Sequence, residues 1–112
     1  MLTPGDPHLE IVTSGAGESV AVSLTGVLDI ATAEQLEAAV RGQVQAGRSV
    51  TIDLSGIDLC DSTGLGALVR LHRSALAAGG QLSLRGARRN VADVLAMTGI
   101  NKVIVVLPAV DH

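Results

Sequence analysis

The side chains that could do chemistry are concentrated in one stretch, Asp61-Ser62-Thr63-Gly64-Leu65-Gly66. A carboxylate is followed there by two hydroxyls, and a hydroxyl can act as a nucleophile or accept a phosphoryl group. Asp61 and Ser62 are residue types that commonly cap a helix, and the unpaired N–H groups at a helix N-terminus tolerate an added anion. The stretch therefore predicts a serine hydroxyl presented at the start of a helix.

Two glycines, Gly64 and Gly66, fall in the first turn of that helix. Each disfavours a helix by about 1 kcal/mol relative to alanine, so helix propensity does not explain them. Without side chains they leave the backbone uncovered and allow another surface to approach closely. We therefore expect a partner to lie against this turn.

Enzymatic use of Ser62 lacks supporting residues. The chain has three histidines as possible bases, His8, His72 and His112, and no G-x-S-x-G nucleophile elbow. The glycines after Ser62 are not followed by the lysine of a P-loop, and no Cys/His/carboxylate cluster suggests a metal site. We predict no catalytic residue, metal ligand or cofactor, and keep a small hydrolase that uses Ser62 only as an alternative.

Patterns on both sides of this stretch predict the elements that position it. Val50, Ile52 and Leu54 alternate with polar residues, as in a half-buried strand. The apolar face of the following helix is expected to comprise Leu65, Leu68, Val69, His72 and Leu76. Ser62 is thus expected between the end of a strand and the start of a helix.

The whole chain predicts the element order β, β, α, β, α, β, α, β. The other strands are expected around residues 9–11, 20–24, 82–84 and 103–107, and the other helices around 33–45 and 91–95. Thr32 and Gln35 fit a capping box for the first helix, Glu37 and Arg41 fit an exposed ion pair, and residues 13–18 fit a turn.

This order predicts a single α/β domain with a mixed, mostly parallel five-stranded sheet and three or four helices, mainly on one face. The turns after the second and third strands would then meet at the carboxyl edge of the sheet. Asp29 lies in the first turn, and Asp61 and Ser62 lie in the second. Because open parallel sheets tend to bind partners at this edge, it is the candidate site.

Composition limits the possible partners. The chain of 112 residues suits one domain, 1–112, with a loose lead-in at 1–8 and a tail at 108–112. A net charge of −3 and the absence of Phe, Tyr and Trp argue against nucleic acid. The longest apolar run, Val103 to Leu107, is too short to cross a membrane, and the single Cys60 agrees with a reducing, cytoplasmic location.

Several segments resemble the bacterial anti-sigma factor antagonists, the small STAS domains. The matching segments are Thr51-Ile52-Asp53-Leu54 with the Asp61–Gly66 stretch, Gly26-Val27-Leu28-Asp29 with Thr32-Ala33, and Met97-Thr98-Gly99-Ile100. The chain departs from the usual family pattern at Val27, where Glu is common, at Leu95, where Phe is frequent, and at Ala96, where Asp is frequent.

The resemblance implies a phosphorylation switch. Ser62 is then the residue phosphorylated by an anti-sigma factor that is itself a serine kinase, and a serine phosphatase reverses the modification. The unphosphorylated form binds the kinase and frees the sigma factor. The implied partner-binding residues are Asp29, Asp61, Ser62, Thr63, Gly64, Leu65 and Gly66. The alternative within the same fold is a STAS subunit of a sensory complex or of a lipid or anion transport system.

Overall fold

A computed structural model describes residues 9–108, and the predicted lead-in at 1–8 and the tail beyond Pro108 lie outside this range. The predicted element order is confirmed. The elements are β1 (Leu9–Ala16), β2 (Ser19–Leu28), α1 (Ala33–Gln45), β3 (Ser49–Cys60), α2 (Ser62–Ala77), β4 (Gln81–Arg85), α3 (Arg89–Met97), a 3₁₀ helix (Ile100–Lys102) and β5 (Val105–Leu107).

The sheet has its five strands in sequence order, β1-β2-β3-β4-β5. β1 pairs with β2 in antiparallel orientation, and every later pair is parallel. Parallel neighbours need right-handed crossovers, which here place successive helices on the same face of the sheet. The predicted fold class, a mixed and mostly parallel α/β sheet, is confirmed.

One face of the sheet forms the core, and the central strands carry mostly polar side chains on the other face. Val22, Ile52 and Leu84 are fully buried beneath the helices. On the opposite face, the Thr51 and Ser83 hydroxyls lie 3.2 Å apart in hydrogen-bond contact. This alternation explains why the strands do not read as continuously apolar, as they would in a sheet covered on both sides.

The first three strands are all longer than predicted. β1 continues to Ala16, so the predicted turn at 13–18 shortens to Gly17 and Glu18. β3 continues to Cys60, with irregularities in its pairing with β2, and buries Ile57. The extension of β3 determines where α2 begins.

Two predicted local contacts of α1 are wrong. Thr32 makes no side-chain cap, because its hydroxyl donates to the Val27 carbonyl at 2.7 Å and accepts from the Asp29 amide at 3.0 Å. Gln35 reaches across to donate to the Leu9 carbonyl at 2.7 Å. Two backbone carbonyls, one five residues away and one in β1, thus replace the predicted capping box.

The buried face of α2 is rotated from its prediction. The helix buries Gly64, Leu65, Ala67, Leu68, Leu71 and Ala75. Leu76 is 58% exposed, so its assignment to the apolar face is wrong, whereas His72 is half-buried at the margin of that face. Three leucines and three small residues share this face, and the small ones allow α2 to approach its neighbours closely.

Candidate functional site

The ends of β2 and β3 lie side by side at the carboxyl edge of the sheet. Leu28 pairs with Cys60 in the sheet register, and the Asp61 amide donates to the Leu28 carbonyl at 3.0 Å. The turn containing Asp29 and the turn containing Asp61 therefore meet, as the topology argument predicted. We name this region, residues 28–31 and 59–66, the switch edge.

Asp61 is the N-cap of α2. Its backbone is extended, and its carboxylate accepts a hydrogen bond from the Gly64 amide at 2.9 Å. Ser62 is the first helical residue and is exposed, while the neighbouring Thr63 is half-buried. The cap is made by the Asp61 carboxylate, and no hydrogen bond within the described residues involves the Ser62 hydroxyl.

Replacing the cap should destabilise the domain, whereas removing the hydroxyl should not. We expect Asp61→Ala to lower the free energy of unfolding by about 1 kcal/mol, within the usual range for a lost N-cap. Ser62→Ala is the matched control and should change it by less than about 0.5 kcal/mol. Urea unfolding of both variants checks this, and a larger loss for Ser62→Ala would contradict the assignment of the cap.

Asp29 organises its own turn. Its carboxylate accepts hydrogen bonds from the amides of Ala31 at 2.9 Å and Thr32 at 3.2 Å. These hydrogen bonds give a structural reason for an aspartate at position 29, and they fix its side chain at the switch edge.

Two exposed apolar side chains also lie at the switch edge. Ile30 follows Asp29 directly and is 76% exposed, and Leu59, 56% exposed, precedes Cys60. Sequence reasoning missed both, because one apolar residue in a turn or near the end of a strand does not reveal its own exposure. Exposed apolar side chains grouped beside polar ones are typical of a surface that binds another protein.

The two glycines of the first turn have different structural reasons. A Cβ at Gly64 would lie 2.5 Å from the Leu28 carbonyl oxygen and 2.7 Å from Leu28 Cγ. A Cβ at Gly66 would meet only Arg70 Nη1, at 3.3 Å, and that atom ends a flexible side chain. Gly64 is therefore required by packing against β2, whereas the fold does not require a glycine at 66.

A cavity of about 390 Å³ opens beside Ser62, between α2 and the segment after α3. It is lined by Ser62, Leu65, Gly66, Val69, Arg70, Arg73, Thr98 and Ile100. The cavity thus joins the Asp61–Gly66 stretch to the Met97–Ile100 segment, two matching segments that are distant in sequence.

Arg70 crosses from this cavity to α1. It donates from Nε to Glu37 Oε1 at 2.7 Å and from Nη2 to Glu37 Oε2 at 3.1 Å. The hydrogen bond from Arg70 is the main cause that lowers the pKa of Glu37. The predicted partner of Glu37, Arg41, is therefore wrong: the salt bridge is made between helices and not along α1.

The remaining reactive groups near the site have ordinary structural explanations. Burial raises the pKa of the Cys60 thiol to about 11, and the charge of Asp61 adds to this effect. Across residues 9–108, no group of three His, Cys, Asp or Glu side chains could hold a metal ion. None of the helices in that range has the length and apolar character needed to cross a membrane.

Sequence comparison relates the chain to known proteins. A family described as "Mlab, STAS domain" matches residues 11–108. A relative from Bordetella bronchiseptica, which carries the name of an anti-sigma factor antagonist, BtrV, is 35% identical over 77 residues. That match covers 68% of this chain and 66% of the relative, just under two thirds of its length.

Solved structures share the fold. An anti-sigma factor antagonist from Mycobacterium paratuberculosis matches with a TM-score of 0.81 at 24% identity, covering 99% of this chain and 93% of that one. Unphosphorylated SpoIIAA, an anti-sigma factor antagonist, matches with a TM-score of 0.77 at 20% identity, covering 91% and 90%. The phosphorylated form of SpoIIAA, a Bacillus cell fate determinant, matches with a TM-score of 0.71 at 20% identity, covering 91% and 93%.

Proposed function

The chain belongs to the STAS domain family, and from this we propose that it is an anti-sigma factor antagonist controlled by phosphorylation of Ser62. The unphosphorylated form binds an anti-sigma factor serine kinase and thereby releases the sigma factor. The observation that carries the proposal is the exposed Ser62 hydroxyl at the start of α2, beside the end of β2. Relatives named as antagonists have a regulatory binding role, which supports a protein-binding module and not an enzyme.

The binding surface in this proposal is the switch edge. Ser62 is exposed there, and Thr63 and Gly66 are half-buried. Gly64 and Leu65 are buried and support the surface from below. The carboxylates of Asp29 and Asp61 hold the two turns in place, and the apolar side chains of Ile30 and Leu59 add contact area for the partner.

Electrostatics support phosphorylation as the off state. A phosphoryl group adds about −1.5 to −2 charges. The first turn of α2 can accept this charge, because a helix N-terminus is positive and its first N–H groups have no partner within the helix. The same charge is placed beside Asp29 and Asp61, so it should repel an acidic partner surface without unfolding the domain.

The proposal extends to the rest of the system. A serine phosphatase acting on phospho-Ser62 would return the domain to its binding form. Because sigma factors act in transcription, the proposal expects the protein in the cytoplasm; it also keeps the predicted single domain over 1–112 and the expectation of no cofactor.

The acceptor is tested with the cognate kinase. Incubated with this kinase and ATP, the wild type should gain one phosphate, and peptide mapping should place it on Ser62. Thr63→Ala is the matched control and should be modified normally, because Thr63 is less exposed and already inside the helix. An undiminished signal in Ser62→Ala, or phosphate on Thr63, would overturn the assignment.

The kinase itself is identified by affinity capture from the native cell, with the wild type and Ser62→Asp as parallel baits. The proposal expects an anti-sigma factor with a serine kinase domain on the wild type and little of it on Ser62→Asp. Capture of a transporter or a sensory scaffold in its place would support the alternative, a STAS subunit of such a complex.

A further inference from the structure

Arg70 extends along α2 toward Ser62. Ser62, Gly66 and Arg70 are spaced by four residues, and all three line the same cavity. Side chains on a helix lean toward its N-terminus, so that of Arg70 leans toward residue 66. Arg70 Nη1 lies 3.3 Å from the position that a Cβ would occupy at Gly66. The guanidinium is therefore about one helical turn, roughly 5–6 Å along the axis, from Ser62.

The salt bridge that holds Arg70 can be exchanged. Glu37 engages Nε and Nη2, and Nη1 forms no hydrogen bond with a described residue. The Arg70 side chain is 56% exposed. The Glu37 side chain is only 18% exposed, so the exchange has to take place on the solvent side of Arg70, where an anion with more charge than a carboxylate can compete with Glu37 for the guanidinium.

We propose that Arg70 binds the phosphate once Ser62 is phosphorylated; this inference rests on the proposed function, which makes Ser62 the acceptor. A phosphate carries more charge than the Glu37 carboxylate, and its oxygens match the planar fork of a guanidinium. The bare backbone at Gly66 leaves the path between Arg70 and Ser62 open.

The exchange changes two parts of the surface. The phosphate becomes fixed in the cavity beside α2, and Glu37 on α1 loses its partner. The phosphorylated domain would then differ from the free one on α1 as well as at the switch edge, giving a phosphatase a second feature to recognise.

The other charged groups define the controls. Arg73 lines the same cavity, but it follows Ser62 by eleven residues, about 16 Å along the helix axis. Asp61 and Asp29 lie at the switch edge and oppose the phosphate charge, and Glu37 competes for Arg70. Arg73→Gln therefore removes the same charge as Arg70→Gln from a position too distant for contact.

The experiment uses phosphoserine inserted at position 62 by genetic encoding, so that it needs no kinase. Phosphorus NMR then follows the second ionisation of the phosphate, which ordinarily has a pKa of about 6. An adjacent cation favours the charged form, so Arg70→Gln should raise this pKa by about half a unit or more. Arg73→Gln should raise it by less than about 0.2 unit, and Glu37→Gln, which frees Arg70, should lower it.

If Arg70→Gln and Arg73→Gln shift the phosphate pKa equally, the phosphate responds only to the net charge of the domain. That result would overturn the proposed contact with Arg70. Arg70→Lys is the second variant, which keeps the charge and loses the fork, and it should fall between wild type and Arg70→Gln. The two proposals can fail separately. If no kinase modifies Ser62 but Arg70→Gln still shifts the phosphate pKa, the proposed function is wrong and the Arg70 contact stands. If Ser62 is phosphorylated but Arg70→Gln does not shift the pKa, only the Arg70 contact is wrong.

Discussion

Gly64→Ala is expected to lower the free energy of unfolding by about 3 kcal/mol, at the upper end of the usual range for overpacking. The new methyl would lie 2.5 Å from the Leu28 carbonyl oxygen. That oxygen cannot easily move away, because it accepts the Asp61 amide and lies in the paired end of β2. The clash is therefore with backbone, and relief requires α2 to shift away from the sheet.

Gly66→Ala is the matched control two residues further along the same helix. Its methyl would meet only the movable end of Arg70, so the gain in helix propensity should stabilise the domain by up to about 1 kcal/mol. Urea unfolding of the two variants should give changes of opposite sign in the free energy of unfolding.

If a partner lies against this turn, Gly66→Ala should also weaken binding to that partner. An unchanged affinity would mean that the partner binds elsewhere.

Ser62→Asp is expected to weaken binding to the anti-sigma factor kinase by more than about 1.4 kcal/mol, a tenfold change in affinity. The physical cause is negative charge added beside Asp29 and Asp61 on the exposed surface of the switch edge. The melting temperature should hardly change, because an acidic residue in the first turn of a helix is electrostatically favourable.

The neutral control for this charge is Ser62→Asn, which has nearly the same shape as Ser62→Asp. Ser62→Asn and Ser62→Ala should both retain most of the wild-type affinity, measured by titration calorimetry against the kinase. Loss of binding in Ser62→Asn would mean that side-chain size, and not charge, controls the interface. If Ser62→Asp binds as tightly as the wild type, negative charge at the switch edge does not regulate binding.

The order of elements and the position of the candidate site follow from the sequence. The elements are predictable because their patterns are local in the sequence. Examples are the alternation at Val50, Ile52 and Leu54 and the helical spacing of apolar residues after Ser62. Connection rules then nearly determine the sheet, because parallel strands need right-handed crossovers. The meeting of the Asp29 and Asp61 turns could therefore be predicted without coordinates.

Tertiary structure decided which neighbour each side chain uses. Gln35 binds the Leu9 carbonyl and Glu37 binds Arg70, although a nearer partner was available to each in the sequence. Gly64 is glycine because Leu28 packs against it, a reason that nothing within its own helix reveals. Contacts between distant segments depend on the distances and angles at which elements pack, and these are set by the fit of the whole core and not by any local pattern.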